Sequence, residues 1–397
     1  MHRGKLNSEF TPPWWLRNGL AMTLYTAIWV SKDWETTTSH PEPDYEEVVF
    51  LGAGGVPIFG WVAIPEHPKA TIIGTYGITG TLDNQWFLRL LGRKAFAQGY
   101  AVVLFDWRAH GKTAQLSPTL TSDGLYEGED FVCIAAQAKA MGCPVPFWFT
   151  GFSLGGQLAL WGVKAAQGLE FGNRESGVGS RGDKEDKGDK GTRGQGDKEE
   201  FQSKIQNLKS KISLAPSPQF LAHSDIGGAA VICPSLDSNR SLSYLVKHPL
   251  GRKLEQAIAK QLKKLAWQLY EAHPGAIDTA AIEKANSIWG FDNELVIEKL
   301  GFPSVEAYYE ASSGLHILPQ LQKPTLIVYA ANDPMFDPAI VPDLQAACDR
   351  NPQLDLLLTR YGGHVNYMSD RACQQRFQDP DPWWAWNRVL EWFDSKW

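Results

Sequence analysis

A serine lies between two glycines at Gly151-Phe-Ser-Leu-Gly155, directly after the apolar run Val145–Phe149 and directly before Leu154–Ala166, whose apolar spacing is helical. A serine hydroxyl is a poor nucleophile at neutral pH. It becomes a good one when a base within hydrogen-bond reach takes its proton and a third group orients that base. Strand, tight turn and helix in succession is the setting in which G-x-S-x-G exposes such a hydroxyl; a plain surface turn would explain the glycines but not the helical pattern behind them. Gly151 and Gly155 allow the sharp turn that presents Ser153. Leu154 then offers its backbone N–H at the start of a helix, where the dipole favours developing negative charge.

A second N–H is expected from the loop after the strand ending at Tyr76, which reads Tyr76-Gly-Ile-Thr-Gly80, with Ile78 as donor; as a glycine turn leaving a strand it would need no such role. For the acid, Thr325–Ala330 runs into Ala331-Asn-Asp-Pro-Met-Phe-Asp337, and Asp333 is the first carboxylate past the strand. Asp337 is the alternative, and a helix-capping role for Asp333 stays open. Of nine histidines, His364 alone follows the acid after a helix and a strand, in Arg360-Tyr-Gly-Gly-His-Val-Asn. His110, in Asp106-Trp-Arg-Ala-His-Gly111, sits at the same sheet end but precedes the serine. A structural role suits it better, with Asp106 and Arg108 fixing the loop beneath the turn. The order Ser153, Asp333, His364 is that of α/β-hydrolases.

These side chains need a scaffold, and the rest of the chain reads as one. Glu46–Phe50 and Pro57–Ile64 flank four residues rich in glycine and read as a hairpin; no helix follows that loop, so it is not a dinucleotide site. Then come strand Ala70–Tyr76, helix Asn84–Ala97, strand Tyr100–Asp106, helix Glu127–Met141, strand Val145–Thr150 and helix Leu154–Ala166. Apolar strands alternating with helices predict a mostly parallel central sheet with helices on both faces. A further strand is expected at Ala229–Cys233, a helical block over 242–313 with a basic spine along Leu250–Ala272, then strand Thr325–Ala330, helix Ala339–Arg350, strand Leu354–Thr359 and helix Trp384–Ser395. Helices inserted between late strands of such a sheet make a cap over the site.

The resulting division is an N-terminal docked segment (1–45), a core through the serine turn (46–168), a charged insertion (169–226), a core strand (227–241), a helical cap (242–318) and a second core part with acid and base (319–397). The insertion mixes both charge signs with glycine and lacks aromatics between Phe171 and Phe201, so it is expected to be disordered. The chain has 397 residues and a net charge of −6, with no electrostatic footprint for nucleic acid. Five scattered cysteines without metal-ligand spacing fit a reducing, cytoplasmic setting. Gly19–Val30 is only 12 apolar-rich residues long, short of the roughly 20 a bilayer span needs, and reads as a docked amphipathic helix or an interfacial contact. The tryptophans near both chain ends, from Trp14 to Trp397, read as packing anchors or as a lipid-facing belt.

Taken jointly, Pro12-Pro-Trp-Trp-Leu-Arg-Asn, Tyr76-Gly-Ile-Thr-Gly, Phe105-Asp-Trp-Arg-Ala-His-Gly, Gly151-Phe-Ser-Leu-Gly-Gly, Gly301-Phe-Pro-Ser-Val-Glu-Ala-Tyr-Tyr, Ala331-Asn-Asp-Pro and Gly362-Gly-His-Val resemble the YheT-like branch of the α/β-hydrolase superfamily. That branch includes ABHD-type acylglycerol lipases and embryogenesis-associated hydrolases. The resemblance covers the chain apart from the insertion and implies a Ser153, Asp333 and His364 triad cleaving carboxylic esters, acylglycerols or short- to medium-chain acyl esters among them. It calls for no cofactor and no metal; the expected partner is a small acyl ester, with peripheral membrane contact through the N-terminal segment or the cap left open. Acyl transfer by the same triad and a silent binding module are the alternatives. The chain departs from the family at Tyr76, where members commonly carry histidine, and in the charged insertion.

Overall fold

The computed structural model describes residues 9–171 and 212–396. β1 (Glu46–Leu51) and β2 (Pro57–Ala63) form the antiparallel hairpin, with Phe50 opposite Ile58. β3 (Ala70–Thr75), β4 (Tyr100–Phe105), β5 (Phe147–Phe152), β7 (Ile226–Ile232), β8 (Thr325–Ala330) and β9 (Leu354–Thr359) run parallel. With β6 (Ser213–Leu214) parallel to β1, the described residues give the order β6-β1-β2-β4-β3-β5-β7-β8-β9. All residues of β3, β4, β5 and β8 are buried, which is possible only where helices cover both faces.

Neighbouring residues on β5 show the two layers. Trp148 meets Trp392 of the C-terminal helix Trp384–Asp394 at 5.7 Å between ring centroids. Phe149 meets Phe131 of Glu127–Ala140 at 5.0 Å on the other side, as the two-residue pleat requires. After β3 the chain steps to β4 on one side and then to β5 on the other, so the carboxyl ends of β3 and β5 border a topological switch point, where open α/β sheets leave a crevice.

Between β7 and β8 lie the helices Ser238–Lys247, Pro249–Ala272, Thr279–Lys284, Ile288–Phe291 and Val305–Ser312. They share a small core, including Leu262, Leu269, Ile282 and Tyr308, that closes onto Ala109, Ala114 and Leu120 from the sheet loops. The first of these helices begins at 238 rather than 242, because the Asp237 carboxylate caps it by accepting the Arg240 N–H at 2.9 Å.

Other boundaries moved for equally local reasons. The helix expected from Asn84 starts at Trp86, since Thr81–Asn84 close a turn in which Asn84 Oδ1 accepts the Thr81 N–H. β5 starts two residues later than expected and continues to Phe152, where it is still paired with Ile232. Residues 213–226, assigned to the insertion, contain β6, whose extension donates the Ala215 N–H to Val49 O at 2.9 Å. The charge-rich repeat itself lies outside the described residues. A helix at Arg371–Phe377, capped by Asp370, was not anticipated.

The segment Gly19–Val30 is helical only to Tyr25 in regular α-turns and then widens over Thr26–Val30. Asn18 caps it by accepting the Ala21 N–H, and Met22 and Thr26 are fully buried. The terminal tryptophans divide: Trp383, Trp384, Trp386 and Trp392 are core, whereas Trp14 is 79% and Trp29 58% exposed.

Candidate active site

Ser153 sits at the end of β5 with φ 55° and ψ −129°, a backbone region that side chains other than glycine rarely occupy. The strain is held by its surroundings. The Ser153 N–H donates to Ile232 O at 3.0 Å, and its carbonyl accepts from Gly156, Gln157 and Ser235. Both flanking glycines are required by space: a Cβ on Gly151 would lie 2.2 Å from Gly155 O, and one on Gly155 would lie 2.3 Å from Tyr76 O. The turn is thus pressed against both its own helix and the loop after β3.

The structure brings His364 and Asp333 to this hydroxyl. His364 Nε2 is 2.9 Å from Ser153 Oγ, and Nδ1 is 2.9 Å from Asp333 Oδ2. Beside a carboxylate, Nδ1 carries the proton and donates it, so Nε2 presents a lone pair to the serine. Asp333 is 4% exposed, and its other oxygen accepts the Met335 N–H at 2.8 Å. One side chain thus holds both the His364 imidazole and the turn. Asp337 is not part of the group; its carboxylate accepts the Ala339 N–H before the next helix. Phe336 sets its ring edge-on to His364, 5.1 Å between centroids.

Residues that sequence reasoning passed over hold the histidine in place. The His364 N–H donates to Thr23 Oγ1 at 2.9 Å, and the Gly363 N–H donates to Asn332 Oδ1 at 3.1 Å. Asn366 donates to His364 O at 2.6 Å and accepts from Thr26 Oγ1. Asn332 also donates to Arg17 O at 3.0 Å. The N-terminal helix is thereby a wall of the base loop. Asn332 adjoins the predicted acid and was open to suspicion from its position; Thr23 carried no sequence signal.

The loop after β3 reaches the serine directly: a Cβ on Gly77 would stand 3.0 Å from Ser153 Cβ and 3.3 Å from its Oγ. Ile78 and Leu154 both line the cleft at Ser153, and among the described residues no protein acceptor takes either N–H. Tyr76 points away from the cleft. Its buried hydroxyl donates to Asp106 Oδ1 at 2.5 Å, and Asp106 also accepts the Leu82 and Lys112 N–H groups. Burial pushes the Asp106 carboxyl up to about 6, against the pull of these three donors. Tyr76 therefore ties the loop after β3 to the loop after β4.

His110 ties the same two loops a second time. Its Nε2 accepts the Thr79 N–H at 3.1 Å, and its Nδ1 donates to Arg108 O at 2.9 Å, while the ring stacks on Trp107 at 3.6 Å. Burial lowers it to about 4, so it stays neutral. With both nitrogens engaged it has no lone pair for the serine. Arg108 grips Asp130 through two nitrogens and donates to Ala53 O, which fixes the base of the β4 loop.

The cleft above these groups is partly open to solvent. Apolar side chains of the helices between β7 and β8 line one side of it, among them Leu242, Leu245, Ile258, Leu262 and Ile288. A hydroxyl with an adjacent base, an orienting carboxylate, two free N–H groups and an apolar cleft is an arrangement able to form and break an acyl–oxygen bond.

Comparison with known proteins agrees with this architecture. The family model described as alpha/beta hydrolase family matches residues 78–375. A Synechocystis protein named "Putative esterase slr0264" is 52% identical over 390 residues, 98% of this chain and 95% of that protein. "Putative esterase YheT" of Escherichia coli is 26% identical over 42% of this chain and 47% of its own length. Human "Phospholipase ABHD3" is 29% identical over 92% of this chain and 75% of its own. On the extent of the family match and the near full-length similarity to the Synechocystis protein, the chain belongs to the alpha/beta hydrolase family, among its YheT-like members.

Proposed function

We propose that the protein is a serine hydrolase of carboxylic esters, acting on acylglycerols or other short- to medium-chain acyl esters. Ser153 Oγ attacks the ester carbonyl while His364 Nε2 takes its proton as general base and then returns it to the leaving alkoxide. Asp333 keeps the Nδ1 proton in place and stabilises the imidazolium that forms. The N–H groups of Leu154 and Ile78 receive the oxyanion. Water, deprotonated by the same imidazole, then releases the acyl group from Ser153. The helices between β7 and β8 serve as the cap and receive the acyl chain on their leucine and isoleucine side chains. The observation that carries the reading is the unbroken hydrogen-bonded line Ser153–His364–Asp333; the esterase names of the relatives support the ester as substrate.

The test is covalent labelling by a fluorophosphonate probe together with hydrolysis of p-nitrophenyl esters of increasing chain length. Labelling and turnover in the wild type, both lost in Ser153→Ala, are expected. Equal labelling of Ser153→Ala would remove the assignment. Acyl transfer to an added alcohol in preference to water would make the protein an acyltransferase. A folded protein that neither labels nor turns over any ester would make it a binding module.

The exposed Trp14, Trp15, Leu24, Ile28 and Trp29 favour peripheral contact with a membrane through the N-terminal segment. Among the described residues no helix is long and apolar enough to cross a membrane. Sedimentation with phospholipid vesicles, lost on Trp14→Ser/Trp29→Ser, is the expected behaviour; unchanged sedimentation would refute the contact.

A further inference from the structure

One side of the cleft is not apolar. Asp123, from the loop that leads into Glu127–Ala140, and Asp292, from the cap, both line the cavity that holds Ser153 and His364. They are 7% and 6% exposed. Asp123 is anchored beside the nucleophile: its carbonyl accepts from the side chain of Gln157, one helical turn after Ser153, at 2.7 Å. Asp292 accepts the Tyr309 hydroxyl. The remaining ionisable neighbours are Glu127, whose carboxylate is taken up by Ser122 and Gly124, the phenol of Tyr308, and Glu306 beyond Tyr309. Every one of them is an acid; the two histidines of the same lining are engaged elsewhere, His110 with Thr79 and Arg108 and His364 with Ser153 and Asp333.

No lysine or arginine lines the cleft, and among the described residues neither carboxyl forms an ion pair. A further polar group of the lining lacks a protein partner among the described residues. Ser241 lines the same cavity at 5% exposure, and its Oγ has no hydrogen-bond partner among the described residues. Buried carboxyls lacking a counter-charge are costly. Burial, with repulsion from Glu127, pushes Asp123 up to about 7, and burial, with repulsion from Asp123, pushes Asp292 well above the usual carboxylate range, which favours a proton on the pair at neutral pH. A bound cation would replace that proton, and Phe291, Tyr309 and Trp107 add aromatic rings to the lining.

We propose that this acidic side of the cleft is a cation subsite, in which Asp123 and Asp292 hold an ammonium group carried on the alcohol portion of the ester. The acyl chain then takes the apolar cap wall, and esters with an anionic alcohol portion are disfavoured. The inference rests on the ester hydrolase reading above.

The test compares butyrylcholine with its uncharged isostere, 3,3-dimethylbutyl butyrate, which carries carbon in place of the ammonium nitrogen. A preference for the cation of about tenfold or more in kcat/KM at pH 8 is expected, collapsing towards unity in Asp123→Asn and Asp292→Asn. Turnover of both esters at equal efficiency by the wild type would overturn the subsite and leave the hydrolase reading standing. If neither ester is turned over, fluorophosphonate labelling and the p-nitrophenyl ester series decide the hydrolase reading, and calorimetric binding of the two esters to folded Ser153→Ala decides the subsite independently, equal affinities refuting it.

Discussion

Gly19→Ala is the substitution that separates a supporting role for the N-terminal helix from mere packing. A methyl at residue 19 would lie 1.9 Å from Asn332 O, where real Cβ contacts essentially never fall below 3.0 Å. Helix and loop must part by about 1 Å, an overpacking that costs about 1–3 kcal/mol. The displacement cannot stay local. Asn332 holds the Gly363 N–H and is joined to Asp333, while the same helix supplies Thr23 Oγ1 to the His364 N–H. Misplacing a reacting group by 1 Å costs up to about 10²-fold in rate. With p-nitrophenyl butyrate, kcat is therefore expected to fall roughly 10- to 100-fold with KM little changed, alongside a melting temperature lowered by a few degrees. Thr23→Val, which adds no clash, leaves the His364 N–H without its acceptor and should lower kcat less. A folded Gly19→Ala protein with wild-type kcat would refute the idea that this helix positions the base.

Asp333→Asn turns the acceptor that fixes the His364 tautomer into a group that also donates; kcat should drop by about 10⁴-fold with the fold intact, as measured by ester turnover and circular dichroism. Tyr76→Phe removes one of three donors to Asp106; a hydrogen bond to a charged group is worth about 1.5–3 kcal/mol, so thermal melts should show that loss and kcat should fall more than KM rises. Asp123 and Asp292 both bind protons more tightly in the folded state than in the unfolded one. Between the ordinary carboxylate range and about 7 the folded protein holds protons that the unfolded chain has released, so these groups make stability decline as pH rises through that window. Melting curves from pH 5 to 8 should show a shallower decline in Asp292→Asn than in the wild type; an unchanged slope would contradict the coupling.

The Gly151–Gly155 turn, the strands on either side of it and the alternation of β3 to β5 with their helices were legible because each depends on neighbouring residues: apolar runs, helical spacing and glycines where a Cβ cannot fit. The separation of Ser153, Asp333 and His364 along the chain was legible too, since chain order in a parallel sheet dictates which loops share an edge. Element ends were less so. Asp237 starting the first helix after β7, or Thr81 and Asn84 closing a turn where helix was expected, depend on which of two satisfied hydrogen-bond patterns wins locally. What only the folded chain decided are contacts between residues that no periodicity links. Thr23 meets His364 across 341 positions; Tyr76 and His110 spend their polar atoms on protein partners and lock the loop after β3; and Asp123 and Asp292 share one cavity although 169 positions separate them in the sequence. Their chemistry is set by burial and by the charges around them, and both are properties of packing that a linear order of residues does not contain.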